Sequence, residues 1–250
     1  MRFYLVFTVI VLQSLAFGQS RIIKEISCQP TIDSAVLTEL FYIAYDENRL
    51  TEEDYIATTP VPKVIISRKR NIPVKYIRDV VLALSYFPEL EDSRIVFKYR
   101  KIRGTMNARP DVFNLFRHPS ERKYLLVINN NKGKYLGVNL DSLSVNARIG
   151  WFSHEIAHIY TYYLMNNFQT LLFSVKYVAV PKFVKKTERY TNSVAINRGL
   201  AFAIYEGENY LLKDTKISDY YKKITLYRSL SLDEYKCLWF QTIYKRIKPR

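Results

Sequence analysis

The residues with the clearest chemistry are His154, Glu155 and His158, in the segment Ile149-Gly-Trp-Phe-Ser-His-Glu-Ile-Ala-His-Ile159. The chain has 3 histidines, and two of them stand in this His-Glu-x-x-His pattern. Residues four apart on a helix lie one turn apart on one side, so both imidazoles can grip a single zinc ion. The glutamate after the first histidine is rotated away from the metal. It can instead reach a metal-activated water and serve as its general base. A catalytic zinc takes three protein ligands and keeps one position open, so a third ligand must come from elsewhere. Glu188 is the better candidate, because it starts a helical stretch in which Glu188, Asn192, Ala195 and Gly199 share one face. Glu206 and Glu208 are held in reserve. His118, in Phe-Arg-His-Pro-Ser, reads as part of a surface turn.

These residues need a rigid helix, and the flanking pattern predicts one. At about 100° per residue, Val145, Ile149, Phe152, Ile156, Ile159 and Tyr163 form one apolar stripe, with His154 and His158 nearly opposite. Their neighbours on the wheel, Ala147, Gly150, Ala157 and Thr161, are small and leave room for a metal and a partner element. Upstream, residues 31–45 and 73–87 have helical apolar spacing, Pro73 fitting a first turn. Residues 94–101 alternate apolar and basic as a half-buried strand, with Ile95, Phe97 and Tyr99 on one side, and 124–129 is a short apolar strand. Residues 58–62 read as a loop, and Asn-Lys-Gly within 130–134 marks a turn. Ser231-Leu-Asp-Glu234 is a capping box opening a last helix through Trp239. The order predicts an α+β fold: a small mixed sheet before a long metal-binding helix, then a helix-rich C-terminal half.

The pattern resembles the zincin metallopeptidases, and within them the gluzincins, in which His-Glu-x-x-His is followed by a helix carrying Glu-x-x-x-Asp. The resemblance covers residues 149–192. It implies His154, His158 and Glu188 as zinc ligands, Glu155 as the base, and Asn192 in the place of the acid that supports a ligating histidine. Asn192 departs from the usual Asp: it can accept from an imidazole N–H but adds no charge. The metzincin extension is missing, since Thr161 and Leu164 stand where its Gly and third His belong. The family fold also implies a strand along the cleft that binds an extended peptide through its backbone. Residues 124–129 and 106–110 are the two candidates. The expected reaction is hydrolysis of a peptide bond, with Glu155 taking a proton from the zinc-activated water and passing it to the leaving amine. Tyr205 and Tyr210 are conceivable helpers at the oxyanion, two among 21 tyrosines.

Composition bounds the setting. The 250 residues, 48% of them apolar, suit a single metallohydrolase domain over 19–250. Residues 1–18 read as a secretory signal peptide: Arg2, an apolar run from Phe3 to Leu12, then Ala16-Phe17-Gly18 as a cleavage site. An exported, periplasmic or secreted protein follows, in which Cys28 and Cys237 could pair. The later apolar run 171–184 is interrupted by Lys176, Pro181 and Lys182. With 38 Lys and Arg against 23 Asp and Glu, the formal charge is +15. For an exported protein this favours anionic envelope material over nucleic acid as a partner, beside a peptide or protein substrate. Three further readings stay open: a non-catalytic zinc-binding envelope protein, a structural or interaction protein with no metal, and a metal-dependent amidase acting on cell-wall material.

Overall fold

The structure, a computed structural model, describes residues 33–47, 71–130, 137–213 and 217–247. The expected signal peptide, the loop at 58–62, Cys28 and most of the turn at 130–134 lie outside the described residues. The architecture is α+β, a three-stranded mixed sheet followed by helices.

Helix α1 (Ser34–Glu47) begins where the Asp33 carboxylate accepts the Ala35 N–H at 2.8 Å. The expected helix over 73–87 is realised in two pieces. Pro73 leads a 3-10 turn, Val74–Tyr76, which passes into α2 (Ile77–Ser85). Strand β1 (Arg94–Arg100) buries Ile95 and Phe97, whereas Tyr99 has run past the core edge and is 45% exposed. Strand β2 (Met106–Pro110) pairs antiparallel, and β1 parallel, with β3 (Lys123–Asn129). The strand order is β1-β3-β2. Central β3 is buried continuously from Tyr124 to Ile128, which explains why its sequence does not alternate.

Helix α3 (Val145–Tyr163) packs against β2 and is capped by the Ser144 hydroxyl, which accepts the Ala147 N–H at 3.2 Å. The stripe Val145, Ile149, Phe152, Ile156 and Ile159 is buried as its spacing predicts. Arg122, fully buried at the start of β3, donates to the carbonyl of Tyr162 at 3.0 Å and to the Asn167 side chain at 2.8 Å. It ties the sheet to the corner between α3 and α4 (Asn167–Ala179).

Helix α5 (Pro181–Ala195) starts earlier than the sequence suggests, so Glu188 sits in mid-helix. Its expected shared face also ends sooner: residues 196–200 form a π turn in which Gly199 has φ 105°, and Gly199 does not continue the face of Glu188 and Asn192. That kink redirects the chain into α6 (Ala201–Lys213), which lies against α3. The approach depends on Gly150, where a Cβ would come within 2.0 Å of the Ala203 carbonyl oxygen. Helices α7 (Asp219–Arg228) and α8 (Leu232–Ile247) complete the chain. The capping box is formed: Ser231 N–H donates to Glu234 at 2.8 Å, and Glu234 N–H to Ser231 Oγ at 3.3 Å. Helix α8 continues well beyond Trp239. Its Cys237 is buried and disulfide-bonded.

Candidate metal centre

His154 and His158 project from one side of α3, and Glu188 meets them from α5. His154 Nε2 lies 3.1 Å from His158 Nε2 and 3.1 Å from Glu188 Oε2, and His158 Nε2 lies 3.6 Å from the same oxygen. Among the described residues these three form a group able to hold a metal ion. Their outer bonds decide which atoms face inward. His154 Nδ1 is 2.7 Å from Asn192 Oδ1, an acceptor only, so it carries the proton. His158 Nδ1 is 3.2 Å from Thr191 Oγ1, whose own hydrogen goes to the Thr187 carbonyl at 2.9 Å. Both Nδ1 atoms are therefore donors, and both Nε2 atoms face the Glu188 oxygen.

Without a metal, a proton on His154 Nε2 bridges to Glu188 Oε2; without that proton, the triangle of 3.1, 3.1 and 3.6 Å offers three lone pairs that can converge on a cation. Ligands at about 2.0–2.1 Å in a tetrahedron are separated by roughly 3.3 Å, so the triangle has the size zinc requires. The residues present fit the metal. The electrostatics agree in sign. Burial alone would lower the His154 pKa, but the Glu188 carboxylate outweighs it and pushes the imidazole up to about 9. Burial likewise opposes the charge on Glu188, and the two imidazoles outweigh it, holding the carboxyl well below its ordinary range.

Glu155 is buried beside the triangle, its pKa raised by that burial. The backbone amide of Ala108, on β2, favours its charged form. This placement follows from strand parity. Thr105 and Asp111 bond to β3, so the intervening Met106 and Ala108 aim their backbone groups away from it. Among the described residues β2 is thus an edge strand open towards the centre, and of the two candidates it is the one that lines the cleft.

The cleft has a volume of about 520 Å³, with the three candidate ligands and Glu155 in its wall. Helix α7 contributes Tyr221, Ile224, Thr225 and Arg228, one face at helical spacing. Arg103 and Arg109 line the cleft as well, and among the described residues its wall has no lysine and no aspartate.

Several supporting residues have no counterpart in the motif. Tyr177 of α4 donates to Glu188 Oε1, leaving Oε2 for the centre. The Asn192 amide donates to Glu208 Oε1 at 2.8 Å and to Tyr235 at 3.1 Å. Glu208, raised by burial, also accepts from Ser229 at 2.6 Å. It therefore stands one hydrogen bond behind Asn192 and is not in the ligand triangle. Glu206 is not there either, since it accepts from Ser144 and from Tyr45. His118 is exposed and bonds to Ser120 at 2.7 Å. Tyr205 belongs to an aromatic cluster with Phe41 and Tyr42, and neither it nor Tyr210 lines the cleft. Among the described residues the cleft tyrosines are Tyr162, Tyr177 and Tyr221. The adjacency of Thr191 to Asn192 was a local clue. Tyr177, Glu208 and Tyr235 gave none, because their placement depends on how α4, α6 and α8 pack.

No protein-family model, curated protein or solved structure matches the chain.

Proposed function

We propose that this chain is a zinc-dependent metallopeptidase with a zincin-like arrangement, exported to a periplasmic or extracellular setting. The observation that carries the reading is the inward-facing triangle of His154, His158 and Glu188, with Glu155 buried beside it. His154, His158 and Glu188 would hold the ion. Bound there, zinc acidifies a water and draws off the negative charge that develops on the carbonyl.

The other roles belong to the protein. Asn192 and Thr191 hold the two imidazoles in the tautomer that presents Nε2. Tyr177 fixes the Glu188 carboxylate. Glu155 accepts the proton of the attacking water and later delivers it to the leaving amine. The outward backbone groups of Met106 and the outward Ala108 carbonyl can pair with an extended peptide along β2, laying its carbonyl over the centre.

The test is Glu155→Gln beside the unaltered chain. The unaltered protein should purify with one zinc by elemental analysis and hydrolyse an unfolded protein substrate. Glu155→Gln should keep the zinc and lose activity by about 10²-fold or more. Absence of stoichiometric zinc, or full activity in the variant, rejects the proposal.

A further inference from the structure

Helix α4 is amphipathic in an unusual sense, because its outward side is apolar. Phe168, Leu171, Val175 and Val178 follow one another at spacings of three and four, so they form a single exposed stripe. Val178 is 88% exposed. At the other end of the helix the stripe is continued by the turn after β2. There Phe113 is 96% exposed and Phe116 75% exposed. The two parts are joined, since the Asn167 side chain, next to Phe168, donates to the Phe116 carbonyl at 2.7 Å. A contiguous apolar surface of this kind marks an interaction site.

Charge identifies what covers it. Helix α4 has no acidic residue. The exposed cations Lys182 and Lys186 follow on the first turns of α5, and exposed Arg117 follows Phe116. Beside the Val112–Arg117 turn in the chain, Asp111 is paired with Lys123, and exposed Glu121 is an acid that opposes this bias. Among the described residues no helix is long and apolar enough to cross a membrane. Exposed aromatic and aliphatic side chains followed in the chain by exposed Lys and Arg suit the boundary between acyl chains and anionic headgroups. A second copy of the chain would meet the same cations in a two-fold contact.

We propose that the Val112–Arg117 turn and the outer side of α4 dock this protein on an anionic lipid surface. Phe113 and Phe116 enter the headgroup region, and Lys182 and Lys186 contact the headgroups. Ser174, Tyr177 and Val178 of the same helix line the cleft, so docking sets the mouth of the candidate site beside the membrane. This inference does not depend on the metal.

The test uses the full chain with vesicles of phosphatidylcholine alone and of phosphatidylcholine with phosphatidylglycerol. Co-sedimentation should favour the anionic vesicles by about tenfold or more. Phe113→Ser with Phe116→Ser should weaken that binding by about tenfold or more. Lys182→Gln with Lys186→Gln should weaken it on anionic vesicles by about tenfold. Phe113→Trp, which keeps an aromatic ring, should shift its emission to the blue when anionic vesicles are added. Equal binding to both vesicles, binding that ignores the two phenylalanines, or an unshifted Trp overturns the proposal. So does sedimentation velocity showing that the Phe variants dissolve a dimer while the unaltered chain ignores vesicles.

Discussion

Replacing Asn192 by Asp should damage this site, although Asp is the residue that the gluzincin resemblance leads one to expect there. The Asn192 side chain is polarised by its neighbours: Oδ1 accepts from His154 Nδ1 at 2.7 Å, and Nδ2 donates to Glu208 at 2.8 Å. An aspartate keeps the first bond and cannot make the second. It would put a second carboxylate oxygen 2.8 Å from Glu208. Two full charges at that separation repel by about 6 kcal/mol at an effective dielectric of about 20. The pair relieves this by retaining a proton, at a cost of about 3 kcal/mol at pH 7 relative to an ordinary carboxyl. Because the pair's folded pKa is raised, its penalty is absent below the unfolded carboxylate pKa and grows as pH rises through the folded one. Since burial already raises Glu208 in the unaltered chain, urea unfolding should show Asn192→Asp less stable by up to about 3 kcal/mol at pH 7, with a smaller deficit near pH 5. Adding Glu208→Gln should restore stability, since the Gln amide can donate to the new Asp. Competition with a chromophoric chelator should then give zinc affinity at or above that of the unaltered protein. If Asn192→Asp alone is fully stable at pH 7 and binds zinc as well or better, Glu208 is not the charge behind Asn192 and the reasoning is wrong.

Other expectations follow from the same packing and electrostatics. Gly150→Ala should lower stability by about 2 kcal/mol or more in urea unfolding, since the new Cβ meets the Ala203 carbonyl across the α3–α6 contact. Asn192→Ala should weaken zinc binding by about 10- to 100-fold in chelator competition while leaving the His154–His158 pair on its helix. Asp111 is held below the usual aspartate range by its hydrogen bond and charge pairing with Lys123. Its stabilising contribution is complete above the unfolded pKa and is lost as pH falls through the folded one, so Asp111→Asn should flatten the acid limb of the stability curve. Because Arg103, Arg109 and Arg228 line the cleft as its cations among the described residues, peptides with acidic side chains should show lower KM than matched lysine peptides, with the difference shrinking as salt rises.

What the sequence determined by itself is local. Periodicity placed α3, its buried stripe and its two histidines, because helical spacing is a property of a few consecutive turns. The Ser231 capping box and the apolar run of β3 were legible for the same reason. The start of α5 was not, since Pro181 and a run of basic residues do not look apolar. Gly199 looked like a small residue on a helical face, and its positive φ turned it into the kink that sends α6 back along α3. Tertiary structure alone decided which carboxylate completed the triangle. Glu188, Glu206 and Glu208 are equivalent as residue types. The crossing of α5 over α3 brings Glu188 to the imidazoles, leaves Glu208 behind Asn192 and turns Glu206 towards Ser144 and Tyr45. The choice of β2 over β3 as the cleft strand has the same origin. A strand is an edge only by virtue of what does not pair with it, which is a relation between distant segments and not a feature of either one.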